Sequence, residues 1–269
     1  MSVKKEPMIT KALFNKTAIK ASVVKAELLE LSRTAAELRT EAVVNVRREL
    51  SSGDSAMLNQ QALSRVGQKA EGRVCVDVVS DDVIRVRYAE GTTVAENDTD
   101  MVVGVLPRPK ACRIRSEKTT PKHPAGLAIT TAALSARIQL DPFRLEIRDL
   151  KGRPVCGIGG PEKNNFTFFD SYNTGIARFG QDNAPIATEN FDLAHDKAVY
   201  GFGEKFIRLN KVGQTIDLNM MDALGVMSPR SYKNIPFFVS TKGYGVFFNH
   251  SSLMTAWVGS MNAADVQVG

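Results

Sequence analysis

Apolar and polar residues alternate in short runs over most of the chain. Arg73-Val-Cys-Val-Asp-Val-Val79 alternates, Ser80-Asp-Asp82 interrupts it, and Val83-Ile-Arg-Val-Arg-Tyr88 alternates again. A period of two sends successive side chains to opposite faces, so this stretch is predicted to be a hairpin. Residues 127–140 and 143–147 repeat the pattern on either side of Pro142. Ile235-Pro-Phe-Phe-Val-Ser-Thr241 and Val246-Phe-Phe-Asn249 flank the turn Lys242-Gly-Tyr-Gly245, a second hairpin. Between these runs, residues 106–126 are rich in Pro and Lys and predict a loop, and Gly157-Ile-Gly-Gly160 predicts a flexible turn. Residues 161–198 hold many Asn, Asp and Phe with little periodicity, which predicts long loops and short strands.

Residues 22–50 send two signals. Their Ala, Glu, Leu and Arg content favours helix by propensity, yet Ala26-Glu-Leu-Leu-Glu-Leu31 and the run from Ala36 to Val46 also fit half-buried strands. Periodicity alone does not decide between them. Residues 51–55 read as a loop, and the Gln/Ser-rich segment up to Gly72 lacks a strong apolar face. Short strands separated by turn residues, without a helix-crossover rhythm, imply a mainly β, antiparallel sandwich. The first 21 residues read as a basic arm, poorly ordered or partly helical, with 22–269 as the sandwich.

Composition narrows the classes. Hydrophobic residues at 43% and charged residues at 24% fit a globular chain and exclude disordered or collagen-like ones. No apolar run approaches the roughly 20 residues of a spanning helix, so no membrane partner is expected. The N-terminus shows no signal-peptide core, and a cytoplasmic protein is the expectation. Three cysteines, Cys75, Cys112 and Cys156, are too few and too far apart for a disulfide framework or a C-x-x-C site. Of the net +6, most falls in the first 50 residues, where ten Lys/Arg meet six Asp/Glu. Those basic residues are spaced and interleaved with Glu, without the aromatic stripe of single-strand readers, so no nucleic-acid partner is expected.

Catalytic motifs are scarce. The chain has no G-x-S-x-G, H-E-x-x-H, Walker or EF-hand pattern. Gly53-Asp-Ser55 reads as a solvent turn. His123, His195 and His250 are too scattered in sequence to predict a metal site, and no following helix makes Gly157–Gly160 a dinucleotide loop. No metal and no cofactor are expected.

What remains is one dense block: Val199-Tyr-Gly-Phe-Gly-Glu-Lys-Phe206, Asn210-Lys-Val-Gly-Gln214, Met221-Asp-Ala223, Ser231-Tyr-Lys-Asn-Ile-Pro-Phe-Phe238 and Gly243-Tyr-Gly-Val-Phe-Phe-Asn-His250. It resembles the N-terminal domain of glycoside hydrolase family 31, with its Y-G-x-G-E-x-F signature, Y-x-x-x-P-F strand and G-Y-G turn in order. Val83-Ile-Arg-Val-Arg-Tyr88, Asp141-Pro-Phe-Arg-Leu-Glu-Ile147 and Asp149-Leu-Lys-Gly-Arg153 extend the resemblance to about residues 70–269.

The resemblance implies a galactose-mutarotase-like supersandwich that begins with strands, so residues 22–46 are expected to form a β-hairpin around 32–34, which their alternation permits. It also implies that a loop over residues 216–233 leans over a catalytic (β/α)₈ barrel, with Asp222 at the substrate-binding acidic position; Leu218-Asn-Met-Met221 replaces the aromatic usual there. Family members are retaining α-glycosidases, which need two carboxylates about 5–5.5 Å apart, carried on that barrel. The chain is therefore expected to be an N-terminal piece of an α-glucosidase or α-xylosidase, with no catalytic residue of its own. Its expected partners are a carbohydrate and the barrel. Tyr232-Lys-Asn-Ile-Pro-Phe237 and Asn249-His250 resemble the α-xylosidase branch. The alternative is a stand-alone carbohydrate-binding or domain-docking module. An apolar face drawn from Phe237, Phe238, Phe247, Phe248 and Trp257 is expected to lie exposed.

Overall fold

A computed structural model describes residues 17–48, 63–96, 99–120, 124–159, 174–179, 184–193, 197–222, 231–260 and 265–269. Every regular element among them is a strand, and every strand-to-strand ladder is antiparallel. The larger sheet begins with β1 (Thr17–Leu31), β2 (Ala35–Arg48), β3 (Leu63–Ser80) and β4 (Val83–Glu90), laid side by side as a meander. A second meander follows: β5 (Cys112–Glu117), β6 (Gly126–Thr131), β7 (Leu134–Leu140), β8 (Phe143–Asp149) and β9 (Pro154–Gly159). β10 (Gly175–Phe179) and β11 (Ala184–Asp192) join the two, β10 pairing with β1 and β11 with β9. β13 (Gln214–Leu218), β16 (Met254–Val258) and β17 (Asp265–Val268) extend from β11, while β12 (Val199–Gly201), β14 (Phe237–Ser240) and β15 (Tyr244–Phe247) form a separate small sheet.

The sheet doubles back on itself. Lys25 of β1 meets Asp141 at the β7–β8 turn (3.3 Å), and Thr131 Oγ1 donates to the Asp81 carbonyl of the β3–β4 turn. Apolar residues at alternate positions fill the space between: Val74, Val76 and Val78 of β3, Leu38 of β2, Leu127 and Ile129 of β6, Ile138 of β7, Phe143 and Leu145 of β8. The core continues without a break into Phe202, Ile216, Phe238, Ala256 and Val258, so the small sheet packs on the same body. This is the expected β-sandwich.

The turn at residues 32–34 is where the resemblance implied it. Ser32 N–H donates to the Ala35 carbonyl (2.8 Å), and Ser32 Oγ accepts the Ala35 amide (2.9 Å), an arrangement that favours a turn over a continuing helix. Both predicted hairpins form, 73–88 within β3–β4 and 235–249 within β14–β15.

Four expectations are corrected. β3 starts at Leu63, inside the segment read as lacking a strong apolar face. β5 lies inside the stretch read as loop; its Arg-Ile-Arg pattern pairs, among the described residues, with β6 alone. Gly157 belongs to β9 and not to a flexible turn, because the Arg144–Asp192 ion pair crosses over it and leaves no room for a side chain. β1 begins at Thr17, so part of the expected arm is strand; residues 1–16, with Gly53-Asp-Ser55, lie outside the described residues.

Candidate functional site

The signature Tyr200-Gly-Phe-Gly-Glu-Lys-Phe206 runs out of β12 into three consecutive residues with positive φ: Gly201 at 123°, Phe202 at 65° and Gly203 at 82°. A non-glycine residue rarely holds that conformation. Phe202 is fully buried there, its amide donates to the Phe237 carbonyl (2.8 Å), and the surrounding packing fixes the strained backbone. Gly203 is required for a second reason. A Cβ at that position would lie 2.0 Å from the Lys233 carbonyl oxygen. The close approach lets the Glu204 amide donate to that same carbonyl at 2.9 Å, so the turn holds the segment that leads into β14.

Lys205 follows. Its Nζ donates to the Asp217 backbone carbonyl (2.7 Å) and to Asn234 Oδ1, and burial pulls its pKa down to about 8. Asn234 Nδ2 donates to the Ser231 carbonyl (3.1 Å), which also accepts the Met221 amide (3.2 Å). An isolated parallel bridge joins Met220 to Ser231. The signature turn thus stitches together both ends of the segment carrying Asp222. Residues 223–230 lie outside the described residues. The segment expected as loop from 216 to 233 is shorter at its start, since residues 216–218 belong to β13.

Asp222 is exposed and accepts a hydrogen bond from the Tyr232 hydroxyl, itself 60% exposed. A solvated carboxylate held by one phenol keeps free lone pairs for a ligand's hydroxyl groups. Beside the signature turn lies an open depression of about 440 Å³, lined by Gly203, Glu204, Lys205, Phe206, Ile207 and Leu209. The Glu204–Lys233 pair (3.0 Å) stands on its rim in solvent.

The small sheet presents its outer face to solvent. By register Tyr200, Phe237, Val239 and Phe247 share that face, and Phe237 lies across Gly245. Phe237 and Phe247 are 39% and 44% exposed, as expected, while Phe238 and Trp257 are buried and Phe248 packs on the core. The difference follows from pleat: Phe238 points inward, with its ring centroid 6.0 Å from Phe191 and 5.5 Å from Phe202.

His250 is exposed, with Nδ1 beside Ser252, and His123 and His195 lie outside the described residues. No cluster of metal-ligating side chains occurs among the described residues. Sequence reasoning picked Asp222 but passed over Lys205, whose position two residues after the Gly-Phe-Gly turn was the available signal.

A stretch of 79 residues is 40% identical to α-xylosidase XylQ of Lactiplantibacillus pentosus, covering 29% of this chain and 10% of that enzyme. Over 182 residues the chain is 28% identical to an α-xylosidase of Saccharolobus solfataricus, covering 66% of this chain and 22% of the relative. The chain thus spans a minor part of the relatives it matches. Among solved structures, the cycloalternan-forming enzyme of Listeria monocytogenes superimposes with a TM-score of 0.59 at 18% identity, over 94% of this chain and 20% of that one, a likeness of fold. The glycosyl hydrolase 31 N-terminal galactose mutarotase-like domain matches residues 73–256, and the chain belongs to that family.

Proposed function

We propose that residues 22–269 act as the non-catalytic N-terminal domain of a retaining α-glycosidase, with an α-xyloside or α-glucoside as substrate. In this reading the domain packs on a (β/α)₈ barrel that carries both catalytic carboxylates, and it lends the segment around Asp222 to the pocket for the leaving sugar. The observation that carries it is the pinned foot of that segment. A solvated carboxylate sits on a chain whose two ends are tied to the family signature through Lys205, Asn234 and Ser231.

Two further features support the reading. The apolar face of Tyr200, Phe237, Val239 and Phe247 gives a rigid surface on which a barrel packs. The three cysteines are free thiols, in keeping with a reducing cytoplasm.

The test is to assay the purified chain on aryl α-xylosides and α-glucosides, alone and joined to a family 31 barrel. No turnover alone and turnover when joined are expected. Turnover by the chain alone, lost on a point change within it, refutes the assignment. Measurable saccharide binding without any gain from a barrel supports instead a stand-alone carbohydrate-binding module.

A further inference from the structure

We propose that Lys205 is a positioning residue that clamps the two feet of the 219–230 segment and thereby sets where Asp222 is presented. The inference rests on the reading of that segment as the substrate-side loop. Its own geometry is independent of any sugar.

A lysine amine has three donors and no acceptor, so it suits a place where carbonyl oxygens from separate segments converge. Lys205 Nζ occupies such a place. One partner, the Asp217 carbonyl, stands at the end of β13 just before the segment; the other, Asn234 Oδ1, stands just after it. Asn234 passes the tie on through its Nδ2 to the Ser231 carbonyl, and Ser231 holds the Met221 amide next to Asp222.

Neighbouring contacts do not duplicate this function. The Glu204–Lys233 ion pair has both side chains more than two-thirds exposed, where such pairs contribute little. The bond from the Glu204 amide to the Lys233 carbonyl fixes the second foot alone. The Met221–Ser231 and Tyr232–Asp222 bonds also join the two feet, but beside Asp222 itself; the Lys205 amine ties them at their base, at Asp217 and Asn234. Its partial burial, which lowers its pKa to about 8, also shields the bond to Asn234 from competing solvent.

Two variants of this chain test the clamp by backbone amide exchange. Lys205→Met keeps the length and apolar stem but removes every donor, and exchange at the Met221 amide is expected to accelerate by about tenfold or more. The amides of Leu145 and Val239, in β8 and β14, should keep their rates. Lys205→Arg retains donors on a stem of similar reach and should restore part of the protection. Unchanged exchange at Met221 in Lys205→Met overturns the proposal. So does equal acceleration at Leu145 and Val239, which would make Lys205 a general stability residue.

Joined to a barrel, Lys205→Met should raise KM by about three- to tenfold with kcat held, the signature of a misplaced binding group. Asp222→Ala should leave Met221 exchange unaltered. If exchange responds as expected while Asp222→Ala leaves the kinetics of the joined enzyme unchanged, the clamp stands and the substrate-side reading of Asp222 fails.

Discussion

The ring of Phe202, on a backbone with φ of 65°, packs against the ring of Phe238 at 5.5 Å between centroids, and both side chains are fully buried. The contact joins the family signature to the β14–β15 hairpin inside the core. Phe202→Ala removes the ring but keeps the demand for positive φ. A loss of about 3–5 kcal/mol in unfolding free energy is expected, as for other buried Phe truncations. Urea denaturation measures it, and a loss below about 1 kcal/mol would show that the site collapses around the missing ring.

Gly203 and Gly243 separate steric from conformational cost. Both have positive φ, but a Cβ at Gly203 meets the Lys233 carbonyl at 2.0 Å, whereas a Cβ at Gly243 meets nothing within 4 Å. Gly243→Ala should therefore cost only the left-handed backbone penalty, about 1–2 kcal/mol. Gly203→Ala should cost clearly more and also break the bond from the Glu204 amide to Lys233. Equal midpoints for the two variants in thermal or urea unfolding would contradict this account.

The parts legible in the sequence were those fixed by local pattern. The β1–β2 hairpin was permitted by alternation but chosen through the family resemblance, since its Ala, Glu and Leu content favours helix; pairing of β2 on both edges outweighs that propensity. The missed elements are short or rich in residues that signal turns. β5 alternates only over Cys112-Arg-Ile-Arg115, inside a Pro- and Lys-rich stretch, and is held by β6, while β9 looks like a glycine turn until Arg144 and Asp192 are seen crossing Gly157. At the site, Asp222 was named through the resemblance, and its exposure and bond to Tyr232 came only with the structure. Lys205 was not, because its acceptors lie 12 and 29 positions along the chain. Which of the five candidate aromatics lie exposed was not legible, since the hairpin's pleat and the pairing of β16 with β13 and β17 turn Phe238 and Trp257 inward.

Glu189 gives a pH signature. Burial raises its pKa from the ordinary 4.5 to about 7, against the opposing bonds from the Asn190 amide (2.9 Å) and Thr174 Oγ1 (2.8 Å). Between those two values the folded chain holds a proton that the unfolded chain has released. Stability should therefore fall as pH rises from about 4.5 to 7, by at most about 1.4 kcal/mol per pH unit for one proton, and level off above 7. Urea midpoints compared for the wild type and Glu189→Gln check this. The difference between the two curves should follow that slope, and parallel curves would rule it out.

Asp222 is exposed, and the one partner described for it is the Tyr232 hydroxyl, which ties the carboxylate to the second foot of its segment. A carboxylate so placed accepts hydrogen bonds from sugar hydroxyls, an interaction worth about 1.5–3 kcal/mol when charge-assisted. Such contacts act mainly on binding, since the bond-breaking carboxylates of the proposed enzyme belong to its barrel. With the domain joined to that barrel, Asp222→Ala should lower kcat/KM by about 10–100-fold, at 1.4 kcal/mol per factor of ten. Tyr232→Phe leaves the carboxylate and removes only its tether, so its effect should be smaller and fall mostly on KM. Because Asp222 is exposed, the unfolding midpoint of Asp222→Ala should shift by no more than about 0.5 kcal/mol in free energy. Unchanged kinetics over several leaving groups would reduce Asp222 to a turn residue held by Tyr232, and a large stability loss would assign it to the architecture of the foot.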